Sequence, residues 1–359
     1  MVSNFGYFPQ IESMNQNQIN DYLKEIRKNF ELEELLKKLD SLKDLKVLVL
    51  GDTIIDEYCF TIIRGRAVKD PILSVGYVNS ETYAGGILAI ANHVSHYVNK
   101  VELITLLGEK NTKLDFIRKK LNKYIKLKYF LKPNSFTTLK KRYINVQRNE
   151  KLFKIEFLDD CPINNFLEEE IIRYLEKVFL KYDILLVGDF GHGFINEKII
   201  NFLEKNAKYL SVNVQTNSSN LGFNYIDKYK YPTFSTMDIR EMQYVVRDKF
   251  SEYPDLISKF ANKTGYKNFL VTLGKKGCAY YDGSIYFAPI FKTGSVDTVG
   301  TGDAIFSIVS LLHYVNTNSM LIPFYANCIG NIAAQIMGNK ESVTKTSLKR
   351  FIQGIYNEQ

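Results

Sequence analysis

The densest chemistry in the chain sits in seven residues, Asp297-Thr298-Val299-Gly300-Thr301-Gly302-Asp303, followed by the apolar run Ala304–Val315. Glycines at the start of a helix leave backbone N–H groups uncovered and let an anion come close. The helix dipole adds to the positive field at the same point. Asp303, directly after Gly302, brings a carboxylate to that end, where it can take a proton from a hydroxyl. An anion cradle of Gly300, Thr301 and Gly302 beside a carboxylate base is what phosphoryl transfer to an alcohol requires. Taken alone, the same residues also fit an ordinary glycine-rich turn capping a helix.

Other chemically capable residues are scattered. Gly51-Asp52 and Gly188-Asp189 each close an apolar run, and His192 follows in a Gly191-His192-Gly193 turn. On a strand, Lys140 and Arg142 share one face, with Lys141 and Tyr143 on the other. The first pair suits a phosphate, or equally a solvated basic strand; Lys69, near Pro71, has the same two readings. His93 and His96 stand three apart with no third ligand and read as a helix surface. The four cysteines, Cys59, Cys161, Cys278 and Cys328, form no CxxC pair. They read as reduced, mostly buried thiols, with neither a zinc site nor a redox motif.

The elements that must position these groups alternate. Strands are expected at Lys46–Leu50, Val101–Leu106, Ile184–Val187, Leu210–Val214 and Phe269–Thr272. Helices are expected near Ile87–Val98, Asn111–Lys123, Phe166–Lys181 and Glu197–Lys205. This alternation implies an α/β fold with a mostly parallel, doubly wound sheet, which binds ligands at the carboxyl ends of its strands. Pro71–Tyr83 and Thr137–Phe157 break the alternation. They read as strands of a small separate β-sheet able to cover a site. Residues 1–18 read as a loose tail, and Ile19–Leu45 as one amphipathic helix packed on the main domain or a second subunit.

The chain has 359 residues, with 45% hydrophobic and 24% charged. That excludes wholesale disorder, and the length allows a core needing no disulfide or metal. Lys plus Arg is 47 against 39 acidic residues, a net charge of +8. Such a balance admits a nucleic acid or an acidic small molecule as partner. Lys, Asn, Ile and Tyr are abundant along the whole chain, a compositional bias that weighs against reading the charge as a nucleic-acid surface. No apolar run approaches a membrane span and no signal peptide opens the sequence, so a soluble cytoplasmic protein is expected.

The segment 297–303 resembles the Asp-Thr-x-Gly-Ala-Gly-Asp signature of the ribokinase-like (phosphofructokinase B-type) carbohydrate kinases. Further resemblances follow in order along Lys46–Ile355. Gly85-Gly86 is similar to the family's sugar motif, and Gly51-Asp52 to its Asp that holds sugar hydroxyls. Val271-Thr272-Leu273-Gly274-Lys275-Lys276-Gly277 is similar to the turn over the ATP phosphates, and Asn331 to a position beside the adenine. VLVLGDTIIDEY, the AGG-x-LAIANH stretch and GDFGHG (188–193) resemble the heptose-7-phosphate kinase branch. They are closer still to kinase domains fused to nucleotidyltransferases, although no His-x-Gly-His signature appears. The resemblance implies a three-layer α/β/α sandwich over 46–357 with a β lid (strands about 58–83 and 137–157), preceded by an extension, 1–45.

It further implies ATP and Mg²⁺, with a monovalent cation such as K⁺ as an option. Asp303 would be the general base. Asp52, Gly85, Gly86, Asp189, His192, Lys140, Arg142 and Lys69 would face a sugar or sugar phosphate. Asp56 and Glu57 would face either the sugar or solvent. Thr272, Gly274, Gly277, Asp297, Thr298 and Asn331 would bind ATP. Asp238-Ile239-Arg240-Glu241 stands where the family has Asn-x-x-Glu, a magnesium motif, so Glu241 and Asp238 become the metal candidates. Lid strands that pair in the family imply a homodimer, and a separate nucleotidyltransferase is a possible partner. Ala89 for Asn and Thr301 for Ala depart from the pattern. They keep a catalytically weak sugar- or nucleotide-binding partner protein open, beside a nucleoside kinase.

Overall fold

The computed structural model describes residues 16–292 and 294–357. Most of the tail read over 1–18 lies outside the described residues, but its last three positions already belong to a helix. That helix is α1 (Gln16–Asn29), followed by α2 (Leu32–Asp40). The single helix expected over Ile19–Leu45 is therefore two. Ile26 and Leu35 are nine residues apart, half a revolution out of phase at 3.6 residues per turn. One straight helix would put them on opposite sides. A break at Phe30–Glu31, with Glu31 extended at ψ 142°, lets both enter the core.

From there the chain runs β1 (Lys46–Arg66), β2 (Leu73–Gly86), α3 (Ile87–Ser95), β3 (Lys100–Lys110), α4 (Leu114–Lys120), β4 (Ile125–Phe136), β5 (Leu139–Asn145) and β6 (Glu150–Phe157). Then come α5 (Asn165–Val178), β7 (Ile184–Asp189), α6 (Glu197–Asn206), β8 (Leu210–Val214), β9 (Phe234–Asp238), α7 (Ile239–Val246), α8 (Tyr253–Thr264) and β10 (Phe269–Thr272). The chain closes with β11 (Cys278–Tyr281), β12 (Ile285–Ala288), α9 (Thr301–Tyr314), α10 (Leu321–Ala333) and α11 (Lys345–Asn357).

The main sheet has the order β12-β11-β10-β9-β8-β7-β1-β3-β4, parallel from β4 to β10 and antiparallel at β11 and β12. Strand β1, inside this sheet between β7 and β3, carries apolar side chains on both faces, as a covered parallel strand must. Val47 and Val49 join the core shared with α3, α9, α10 and α11. Leu48 and Leu50 join the core under α5, α6 and α8. These are the two outer layers of a three-layer sandwich.

The first strand does not stop at Asp52 as the sequence suggested. Its residues 46–52 pair with β3 and, through Gly51, with β7. Its residues 53–66 pair with β2, and 55–61 also with β5. Dense β-branched and aromatic residues with no turn former before Gly65 carry it onward. One strand thus passes from the main sheet into the lid, whose remaining strands are β2, β5 and β6. The pairing sets Asp56 opposite Tyr83 and Lys140, Tyr58 opposite Arg142, and Arg142 opposite Lys154. Those side chains make the lid's inner face.

Candidate active site

The first turn of α9 begins at Gly300, with φ at 82°. A Cβ there would stand 2.1 Å from Asn339 Oδ1, so only glycine fits. At Gly302 a Cβ would meet nothing within 4 Å, which leaves an open approach. The N–H of Thr301 donates to Thr298 O at 3.3 Å. Gly302 and Asp303 occupy the second and third helical positions, where an α-helix offers no carbonyl to an N–H. The free end of the cradle is therefore Gly302 and Asp303 rather than Thr301.

Asp303 is buried and accepts a hydrogen bond from Gln215 Nε2 at 2.7 Å. Burial, then the charge of Asp56, pushes its pKa up to about 7, against the opposing pull of Gln215 and Lys140. The carboxylate is thus poised to exchange a proton near neutrality. Asp56, which the sequence left between sugar and solvent, is buried in the lid's inner face. Its Oδ1 is paired with Arg142, and its Oδ2 lies where a Cβ on Gly85 would be, 2.1 Å away. Gly85 is a glycine because this carboxylate needs the space. Gly86, at φ +55°, turns the chain into α3. The period-two series Asp52, Ile54, Asp56, Tyr58 was the available signal for Asp56; reading the strand as ended at Asp52 concealed it.

Two other carboxylates are tied into turns. Asp52 accepts from Phe190 N (3.0 Å) and His192 N (3.4 Å); burial and Asp189 raise it to about 6. Asp189 is paired with Lys228 at 2.6 Å and accepts from Tyr229 Oη at 2.9 Å and Gly191 N at 3.1 Å. Both hold the 189–192 turn in place. His192, carried on that turn, is 4% exposed, and neither ring nitrogen has a hydrogen-bond partner among the described residues. Burial, then Lys140 and Lys154, lowers it to about 3, so the imidazole is neutral. Lys140 is itself buried, with Glu156 Oε1 3.7 Å away. Lys154, which sequence reading passed over, is ion-paired with Glu156 Oε1 and donates to Ser218 Oγ, each at 2.9 Å. Lys69 is exposed in the turn beyond Arg66, ten strand residues from Asp56 or roughly 30 Å along an extended chain. The fold does not bring it to this group.

Asp297 has no free oxygen. Lys151 Nζ (2.6 Å), Tyr58 Oη (2.7 Å), Gly338 N (3.0 Å) and Val299 N (3.1 Å) all donate to it. Burial alone would raise its pKa, but Lys151 and Tyr58 hold it below the usual carboxylate range. It braces the lid against the loop before α9, and Thr298 supports the same loop through its carbonyl. On the other side, Thr272 ends β10 and leads into the Gly274–Gly277 turn, closed by Leu273 N to Gly277 O at 2.8 Å. A Cβ on Gly277 would strike Ala288 O at 2.1 Å. Asn331 accepts from Lys292 N at 3.0 Å and donates to Asn327 O at 2.8 Å.

The metal candidates have another occupation. Asp238 Oδ1 accepts from Glu241 N (2.8 Å), and Glu241 Oε2 accepts from Asp238 N (2.9 Å): a capping box at the start of α7. Glu241 Oε1 accepts from Thr216 N at 3.0 Å. Burial, then Asp238, raises Glu241 to about 8. With both Glu241 oxygens bonded to backbone N–H groups, the pair does not fit a direct metal cage. No cluster of three or more His, Cys, Asp or Glu able to hold a metal occurs among the described residues. Asp in place of Asn costs nothing as a cap, since both serve equally well.

A model of the pfkB family of carbohydrate kinases matches residues 44–311. The chain belongs to the pfkB family of carbohydrate kinases. Within the family, it is 26% identical over 318 residues to the bifunctional protein HldE of Aliarcobacter butzleri, covering 85% of this chain and 63% of that protein. It is 22% identical to the HldE of Nitratiruptor sp., covering 86% and 68%. The chain thus spans about two thirds of the length of these relatives. Phosphofructokinase-2 from Escherichia coli, solved with substrates and products, superposes with TM-score 0.68 at 13% identity, covering 87% of this chain and 99% of that one. Ribokinase from Thermotoga maritima gives 0.64 at 16%, covering 86% and 99%. Membership of this family and the ribokinase-like α/β architecture thus agree. No helix among the described residues is long and apolar enough to cross a membrane.

Proposed function

We propose that the protein transfers the γ-phosphoryl group of Mg·ATP to a hydroxyl of a sugar that already carries an anionic group, such as a sugar phosphate. The observation that carries this reading is Asp303: a buried carboxylate, raised to about 7, on the first turn of α9 beside Asp56 and Lys140. The acceptor hydroxyl donates to Asp303. As its oxygen attacks the γ-phosphorus, the proton passes to Asp303 and the bond to the β-phosphate oxygen breaks, releasing ADP. The N–H groups of Gly302 and Asp303 meet the charge that develops, an effect worth about 3–4 kcal/mol for a well-aimed donor. Asp56, held by Arg142, orients a sugar hydroxyl over Gly85. Mg²⁺ enters with the nucleotide as part of the substrate.

The anionic acceptor is supported by Lys140, Lys154 and the unpartnered His192. A buried polar group without a partner costs about 1–3 kcal/mol, which a substrate oxygen would recover. The Gly274–Gly277 turn and Asn331 would flank ATP, whose use implies a cytoplasmic setting. A homodimer is supported by apolar side chains exposed on the lid, Ile62, Leu73, Tyr77 and Val78. A separate nucleotidyltransferase as partner rests on the likeness to bifunctional relatives alone.

The test is an ADP-release screen over free and phosphorylated hexoses and heptoses, with Mg²⁺ and with or without K⁺. Turnover of a phosphorylated sugar is expected. ATP and sugar binding without turnover of any acceptor would favour a non-catalytic binding protein instead.

A further inference from the structure

We propose that Tyr22, on the N-terminal extension, is a positioning residue for ATP: through Phe291 it fixes Ala288–Lys292, a segment that walls the nucleotide side of the site. The proposal rests on the ATP-dependent reading above.

One side of this segment faces the nucleotide candidates. Gly277 lies against Ala288 O, Pro289 C and Ile290 N, at 2.1–3.0 Å from where its Cβ would be. Asn327 donates to Ala288 O at 2.8 Å, and Lys292 N donates to Asn331 at 3.0 Å. The other side is covered by the extension. The ring of Tyr22 stacks on Phe291 with centroids 5.9 Å apart and planes at 28°. Phe291 meets Phe324 at 5.7 Å, and Phe324 meets Tyr325 at 5.7 Å. Tyr325 Oη then donates to Leu35 O at 2.7 Å. A chain of rings runs from α1 through the segment and α10 to α2.

Both helices are tied down elsewhere. Lys38 Nζ donates to Val315 O, Arg27 donates to Ile355 O, and Lys349 is paired with Asp40. Ile19, Leu23, Ile26, Leu35 and Leu39 belong to the same core as α10 and α11. Tyr22 Oη is buried without a hydrogen-bond partner among the described residues. The ring, and not the hydroxyl, therefore does the positioning.

Full-length protein titrated with Mg·ATP by calorimetry tests this. Tyr22→Ala should weaken ATP about 3- to 10-fold, the range of a lost aromatic pair, and Tyr22→Phe should restore it. Amide exchange across 288–292 should quicken in Tyr22→Ala without nucleotide. Leu39→Ala, a core change on α2 outside the chain of rings, should lower the melting temperature and leave ATP affinity within twofold. Should Tyr22→Ala fail to fold, Tyr22→Leu, apolar but without a ring to stack, takes its place. Unchanged ATP affinity in the Tyr22 variant overturns the proposal, as does equal weakening by Leu39→Ala. A wild-type chain that binds no ATP sinks the ATP-dependent reading, and this proposal with it.

Discussion

Asp303 makes the sharpest statements at the scale of single residues. Asp303→Asn should keep ATP binding and lower kcat by about 10²–10⁴, the range of a general base; a steady-state assay beside an ATP titration checks both. The same residue predicts a pH signature. With the carboxyl raised to about 7, kcat should fall on the acid side with a midpoint near 7. Asp56 is one of the charges holding it up, so Asp56→Asn should move that midpoint to lower pH at saturating acceptor. For stability the sign is opposite. A carboxyl whose pKa is higher folded than unfolded binds more protons when folded, so stability falls as pH rises from about 4 to 7. Asp303→Asn, a neutral stand-in, should therefore melt higher than wild type at pH 8, and the gap should close at pH 4.

Elements decide how much of this could be read from residues alone. Leu210–Val214 and Phe269–Thr272 were legible because buried parallel strands are short apolar runs bounded by polar turns. The turn before α9 was legible because glycine and aspartate carry their chemistry locally. Asp238 and Glu241 read as a metal motif, and Asp-x-x-Glu before a helix is equally a capping box; the structure shows the capping hydrogen bonds. Asp238→Asn should accordingly leave both stability and metal requirement unchanged, while Asp238→Ala should cost about 1 kcal/mol in denaturant melts. Edge strands β4 and β12 escaped notice because half-exposed strands carry a weak apolar signal.

For the whole molecule the decisive feature is contact between lid and core. Asp297 receives Tyr58 and Lys151 from the lid while anchoring the loop before α9. Tyr58→Phe removes one of these ties at little cost in volume. Sugar-independent ATP hydrolysis should then rise several-fold relative to transfer, because a looser lid admits water. ADP release without acceptor measures it.

The continuity of β1 makes the lid inseparable from the sheet it covers. Its outer half cannot be excised, swapped or grafted as a module, because the same strand lies inside the main sheet between β7 and β3. Asp56 rides on the lid half of this strand, a few residues past the crossing at Asp52–Thr53, whereas Asp303 stands on the first turn of α9. A bend of the strand there would act as a leaf spring. It would alter the gap between the carboxylate proposed to orient the sugar and the one proposed to take its proton, making lid closure and acceptor alignment one motion rather than two.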